Sequence, residues 1–252
     1  MQCGWVSAIL WLSAGLYGYL IVHHEACLGQ QRAINLRMIG LLLASLTFSV
    51  VDSFRYQPSP TLPPHAYWLN VGQFVISSVC AVFFVEIMDN FYHLNLWRFV
   101  RWLWLSLIPL IALSLLGWVV TPQLESLYLP LARTYYWRAE SSRLGIAFSL
   151  LYLSGFVGAF ASAFRQWHRL PTSSRITLTA MSVMIQLVVI DMLVYYGFLH
   201  WLPTWNMAYW VLAGAMSVHL NLQIHLQNAR PGATGLSPGE EAALAPSHHH
   251  VV

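Results

Sequence analysis

The sequence predicts an all-α, polytopic membrane protein: a seven-transmembrane helix bundle with its N-terminus outside and its C-terminus in the cytoplasm. Three observations carry this. Of 252 residues, 58% are hydrophobic and only 8% are charged, and the mean hydropathy is +0.57, whereas a soluble domain carries about 25% charged residues. Seven stretches approach the ~20 apolar residues that a helix needs to cross the hydrocarbon. The arginines, finally, are unequally divided between the two sides that those stretches define.

The first span, Trp5 to Val22, has no positive residue before it and ends in His23-His24-Glu25 rather than at a small-residue cleavage site, so it reads as a mature helix and not as a signal peptide. The second, Met38 to Phe54, is shortened at one end by Asp52 and Arg55. Trp68 to Val85, Trp102 to Val120, Leu144 to Phe164, Ile176 to Leu199 and Trp205 to Leu222 complete the set. Arg32, Arg37, Arg98, Arg101, Arg165, Arg169, Arg175 and Arg230 then fall on one side, and Arg55, Arg133, Arg138 and Arg143 on the other. Positive charge is retained in the cytoplasm, which sets the orientation of a multi-pass protein.

Trp5, Trp68, Trp97, Trp102, Trp104, Trp118, Trp137, Trp201 and Trp205 lie near span ends, where an indole buries its ring and keeps its N–H wet. The outer loop from Thr121 to Arg143 holds Leu124, Leu127, Tyr128, Leu131, Tyr135, Tyr136 and Trp137. That is more apolar surface than a solvated linker carries, so the loop is expected to fold over the mouth of the bundle or to lie in the interface. The seven-helix domain is assigned to residues 1–227. Residues 228–252 contain Pro231-Gly232, Pro238-Gly239 and His248-His249-His250 and read as a disordered cytoplasmic tail, with the histidines a flexible run rather than a metal site.

Polar residues within the spans carry the functional information, because an Asp at helix centre costs about 2.5–3.5 kcal/mol on insertion scales. Asp191 in the sixth span shares a face with Met184, Val188 and Tyr195. Ser45, Ser49 and Asp52 line one face of the second span, and Asn70, Gln73, Ser77 and Cys80 one face of the third. Asp52, Asn70, Gln73, Asp191, Tyr195 and Asn206 are therefore the candidate ligand-binding residues, lining an outward-facing pocket between helices. The competing reading is plain interhelical hydrogen bonding, at about 0.6 kcal/mol per contact. In the fifth span, Ser154, Gly158 and Ser162, and Gly155, Ala159 and Ala163, recur every four residues. Such spacing permits close helix approach within the bundle or in a homodimer.

Several chemistries are excluded or left without support. All 12 basic residues are Arg, which rules out a lysine Schiff base and with it a retinal-binding rhodopsin. Cys3, Cys27 and Cys80 are scattered, without metal or disulfide spacing, and read as small apolar packing residues. Only His219 falls within the membrane, whereas bis-imidazole haem ligation needs two histidines at similar depth. Neither a cofactor nor a metal is expected. Glu86 and Asp89 read as an interfacial charge cluster beside Arg98 and Arg101. No metallopeptidase, hydrolase, nucleotide or dinucleotide motif occurs, so the chain is not expected to be an enzyme, nor to bind nucleic acid.

From Arg165 to Arg230, Arg175-Ile-Thr-Leu opens a long helix that runs into Val189-Ile190-Asp191-Met192-Leu193-Val194-Tyr195-Tyr196-Gly197-Phe198-Leu199. A Pro203-containing turn then leads to a last helix. With Gln30-Gln31-Arg32 before the second span and Trp68-Leu69-Asn70 opening the third, the chain resembles the seven-helix sensory module at the N-terminus of bacterial histidine kinases and diguanylate cyclases. The sixth-span sequence is similar to that family's Asn-Asp or Asp-Leu element followed by a hydrophobic hairpin. The pattern departs after Arg230, where no kinase, cyclase or coiled-coil linker follows: either the effector has been removed or this is a stand-alone receptor or membrane subunit. The resemblance implies a receptor of the bacterial cytoplasmic (inner) membrane that binds a small ligand in its outer half and signals through its last helix to a cytoplasmic partner. The alternative is a non-catalytic accessory subunit of a larger membrane complex. A transporter ranks third, because no paired discontinuous helices are evident.

Overall fold

The computed structural model describes residues 4–195, apart from 27–31, 58, 60, 64, 131, 132, together with 199 and short pieces between 210 and 218. Six α-helices and three short-to-medium strands follow in order: α1 (Gly4–Ala26), α2 (Arg32–Ser53), β1 (Tyr56–Gln57), α3 (Ala66–Tyr92), α4 (Trp97–Leu115), β2 (Val120–Leu129), β3 (Thr134–Ser141), α5 (Arg143–Phe164) and α6 (Thr172–Tyr195). A 3₁₀ turn, Trp167–Arg169, precedes α6. Among the described residues five helices, α2 to α6, are long and apolar enough to cross a membrane; by length and composition the chain is a multi-pass membrane protein. The apolar run of α1 is closed by His23-His24-Glu25, and this helix packs along α2. Of the seventh predicted span, residues 210–211, 214–215 and 217–218 are helical. The predicted tail, 228–252, lies outside the described residues.

Helix α3 is the centre of the bundle, with α2, α4 and α5 packed around it and α6 against α5. Its buried residues include Val82, Phe84, Val85, Ile87 and Met88. Phe84 is fully buried and stacks on Phe156 of α5, ring centroids 4.0 Å apart and planes 4° from parallel. Of the two small-residue stripes on α5, Gly155, Ala159 and Ala163 are buried in the bundle. A Cβ at Gly155 would already touch Leu103, Phe99 and Val85 at 3.3 to 3.5 Å. Ser154 and Gly158 are exposed.

The all-α expectation is corrected at one end. Most of the outer loop predicted from Thr121 to Arg143 forms, with Val120 of the predicted fourth span, the hairpin β2–β3, and β1 adds to it in the antiparallel order β1-β3-β2. Tyr136 lies opposite Tyr56 on one side and Leu127 on the other. The run Thr134-Tyr135-Tyr136-Trp137 is β-branched and aromatic, the composition that fits a pleated, half-buried surface. The sheet sits over the bundle end where α2, α4 and α6 finish and α3 and α5 begin. Leu10 of α1 closes a small second core with Tyr56, Leu129 and Tyr136. Trp137 is consequently not an interfacial belt residue: it is 9% exposed, on β3. Trp68, Trp97, Trp102 and Trp118 are exposed, as belt residues should be.

The sheet is joined to α5 through a tight corner. Ser142 caps α5, accepting from Gly145 N at 3.1 Å while its hydroxyl donates to the Trp118 carbonyl, and Ser142 N donates to Val119 O at 3.0 Å. A Cβ at Gly145 would fall 2.5 Å from that same Val119 oxygen. Gly145→Ala should therefore destabilise despite the better helix propensity of Ala: overpacking costs about 1–3 kcal/mol, against a propensity gain of up to about 1 kcal/mol. A lowered melting temperature of the purified protein checks this, with Gly158→Ala, where no atom lies within 4 Å and only the propensity gain remains, as the control that melts no lower than wild type.

At the opposite end, Glu86 pairs with Arg37 of α2 at 2.7 Å and accepts from Trp104 Nε1 at 3.2 Å. Asp89 Oδ1 accepts from Leu96 N at 2.7 Å, just before α4. The charges expected beside Arg98 and Arg101 are thus structural groups that knit α2, α3 and α4 together. His24 is buried: its Nδ1 lies 2.8 Å from Asn35 Oδ1 and its Nε2 3.1 Å from Ser217 Oγ. One imidazole therefore links α1, α2 and the helical segment that holds Ser217.

Candidate functional site

The polar stripes of α2 and α3 face each other. Ser45 Oγ lies 4.0 Å from Cys80 Sγ, and one helical stretch further along Gln73 Nε2 donates to Asp52 Oδ1 at 2.9 Å. The hydroxyls of Ser45 and Ser49 donate to carbonyls one turn back in α2, which satisfies them locally. Asp52 and Gln73 are left to organise the end of the bundle under the sheet.

At that end Arg55, read from the sequence only as a charge that shortens the second span, is the organising side chain. It is 0% exposed. Its Nε donates to Trp137 O at 2.9 Å and its Nη2 to Asn70 Oδ1 at 2.7 Å, while Nη1 lies 3.5 Å from Asp52 Oδ1. That last contact is an ion pair, without hydrogen-bond geometry. The guanidinium also stacks over the Tyr136 ring, 4.2 Å from its centroid, and Asp52 interacts with the hydroxyls of Tyr56 and Tyr136. Burial raises both tyrosines well above the ordinary value, so both remain protonated donors. Asn70 Oδ1 accepts a second bond from Ala139 N at 2.9 Å, and its Nδ2 donates to Ala66 O at 2.8 Å. α2, α3 and β3 are thereby tied through one planar cation.

The end of α6 is held to the same sheet. Tyr195 OH donates to Ala139 O at 3.0 Å and accepts from Ser141 Oγ at 3.3 Å, and Arg138 Nη1 donates to Tyr195 O at 2.5 Å. Arg138 also pairs with Glu125 across the hairpin at 3.0 Å.

Beneath this polar layer lies a cavity between α3, α5 and α6, with about 800 Å³ of empty space, part of it open to the surroundings. Asn70, Gln73, Asp191 and Tyr195 line its polar end, and Ser77, Ser78, Ser149 and Tyr152 add hydroxyls. Phe48, Phe74, Phe156, Val188 and Met192 supply apolar wall. Four of the six predicted site residues thus meet at one cavity. Asp52 does not line it but touches it through Gln73, and Asn206 lies outside the described residues. Ser149 and Tyr152, both on α5, could have been found only by knowing which helices are adjacent. The chain matches no family model, no curated protein and no solved structure. Function must be argued from the site itself.

Proposed function

We propose that the chain is a membrane-embedded receptor module that binds a small ligand in the cavity between α3, α5 and α6 and acts through its last helix on a cytoplasmic partner, without chemistry of its own. The observation that supports this is a partly open, mostly apolar cavity with convergent polar groups at one end, the usual character of a ligand site between helices. The orientation that goes with it has the sheet outside and the C-terminus in the cytoplasm of a bacterial cell, following the arginine bias.

Transmission needs an element that both the ligand and the output bias. α6 is that element in this reading: Asp191, Met192 and Tyr195 face the cavity, and the chain continues from α6 into the seventh span. His24, through Ser217, ties that span to α1 and α2. A ligand that moves Tyr195 loosens its bonds to Ala139 and Ser141 and changes how α6 ends.

Protein purified in nanodiscs should retain a small molecule identifiable by mass spectrometry, and Asp191→Leu should lose it with little change in expression. The receptor reading fails if wild type and variant both carry nothing, or carry the same compound in the same amount. A C-terminal reporter active only outside the cell would overturn the orientation, and turnover of a substrate by the chain alone would overturn the absence of chemistry.

A further inference from the structure

We propose that the outward face of α4, at the end of the bundle opposite the sheet, is a site for an anionic phospholipid, its phosphate held by Arg98 and Arg101 and an acyl chain laid along the helix. The inference goes beyond the receptor reading and does not rest on it, since the two sites share no described residue.

α4 divides its residues into two faces. Val100, Leu103, Leu107 and Leu110 are buried in the bundle. Trp97, Arg98, Arg101, Trp102 and Leu105 are exposed and line a groove with about 550 Å³ of empty space, open to the surroundings. Arg98 and Arg101 are three apart and so lie on one face, where two planar guanidinium groups can converge on one phosphate, a group they match bidentately. Contact with the Trp97 ring, 5.4 Å from its centroid, holds the Arg98 guanidinium at the groove. Among the described residues neither arginine has a carboxylate within ion-pair reach, in contrast to Arg37 at the same end, which is taken by Glu86.

Depth decides between a lipid and a soluble partner. α4 is apolar enough to span a membrane, and an indole settles where its ring is buried and its N–H wet. With Trp102 at the hydrocarbon boundary, Arg98 lies about 6 Å further out at 1.5 Å per residue, and the interfacial layer is about 5–8 Å thick. Both guanidinium groups therefore fall at phosphate level, which long arginine side chains reach by extending outward. On the other side of Trp102 the exposed residues continue as Leu105, Ile108, Ala112 and Leu115, three and four apart, a straight apolar stripe about 15 Å long. A soluble acidic protein would engage the arginines and leave that stripe uncovered; a phospholipid covers both. A zwitterionic headgroup would bring its own cation beside two guanidinium groups, so the charge favours an anionic one.

The test uses the full chain, delipidated in detergent and titrated with dioleoyl-phosphatidylglycerol or dioleoyl-phosphatidylcholine, with bound lipid counted by native mass spectrometry. A basic residue near an anionic membrane surface contributes roughly fivefold in affinity. Phosphatidylglycerol should therefore bind about tenfold or more tightly than phosphatidylcholine; Arg98→Gln or Arg101→Gln alone should reduce that preference several-fold, and the two together should remove it. Arg165→Gln/Arg169→Gln, on two exposed arginines elsewhere, should keep it within about twofold. Because the replaced side chains are exposed, all four variants should melt with wild type, which separates loss of the site from loss of the fold. Glycerol phosphate, the headgroup without chains, should displace the lipid only at far higher concentration. The proposal is overturned if wild type binds both lipids equally, or if the two double variants lose the preference alike, which marks an undifferentiated basic surface. It is overturned too if glycerol phosphate displaces the lipid at equal concentration, which marks a soluble phosphate as the ligand, or if polyglutamate does so at equal charge, which marks an acidic protein.

Discussion

Arg55→Ala should lower stability by about 3–5 kcal/mol, the cost of breaking a buried pair by removing one partner. The loss has several parts acting together. Asp52, 1% exposed, would lose its counter-ion and have either to stand as a lone buried charge or to take up a proton. Trp137 O would lose its donor from Arg55 Nε, and Asn70 Oδ1 one of its two. Arg55→Lys should rescue little, since an ammonium cannot supply a planar fork to two acceptors, face Asp52 and stack on a ring at once. The double variant Asp52→Asn/Arg55→Met should recover part of the loss, because it removes the orphaned charge. Thermal melts of purified protein, read beside the two single variants, test this; an Arg55→Ala protein as stable as wild type would show that the ion pair holds nothing.

Phe84→Ala is the second large effect, about 3–5 kcal/mol as for other buried Phe truncations. The physical content differs from that of a soluble core. Lipid tails are as apolar as the helix interior, so helix association in a bilayer draws on packing rather than on escape from water. What Phe84→Ala removes is the stacked contact with Phe156 and the filling between α3 and α5. Phe164→Ala, on a residue 54% exposed, should cost less than about 0.5 kcal/mol. If the two variants melt alike, close packing around α3 is not what holds the bundle.

Much of the helical frame was legible in the sequence, because a membrane span is announced by length and apolar content alone. The stripe Asn70, Gln73, Ser77 and Cys80 was legible for the same reason: polarity at helical spacing has no other cheap explanation in hydrocarbon. That it would meet the stripe of α2 was not, since adjacency depends on packing that no single helix encodes. Residues 121–141 misled because span-counting treats whatever lies between spans as loop. Their strand pattern was also blurred, with exposed Pro122-Gln123 and Glu125-Ser126 interrupting the alternation and a register shift between Val120 and Leu124. Arg55 was misjudged through its position. An arginine at a span end is ordinarily solvated, and only the sheet above it makes this one buried. Nor could the burial of His24 be read from sequence, its partners Asn35 and Ser217 lying 11 and 193 residues away.

The wide sequence separation inside the Arg55 network has a consequence for biogenesis. Arg55 and its acceptor Trp137 O are 82 residues apart, and Asn70 and Ala139 N are 69 apart. When α2 and α3 leave the ribosome, the strand that completes their polar end has not been made. Asp52 and Arg55 must meanwhile be kept at the translocon or the headgroups, with each other and with water as partners. The end of α2 can settle only after β3 emerges, two helices later, and α6 can be fastened through Tyr195 only after that. Assembly thus closes from the sheet inward, and a chain interrupted before Thr134 should leave α2 unlatched and open to quality-control proteolysis.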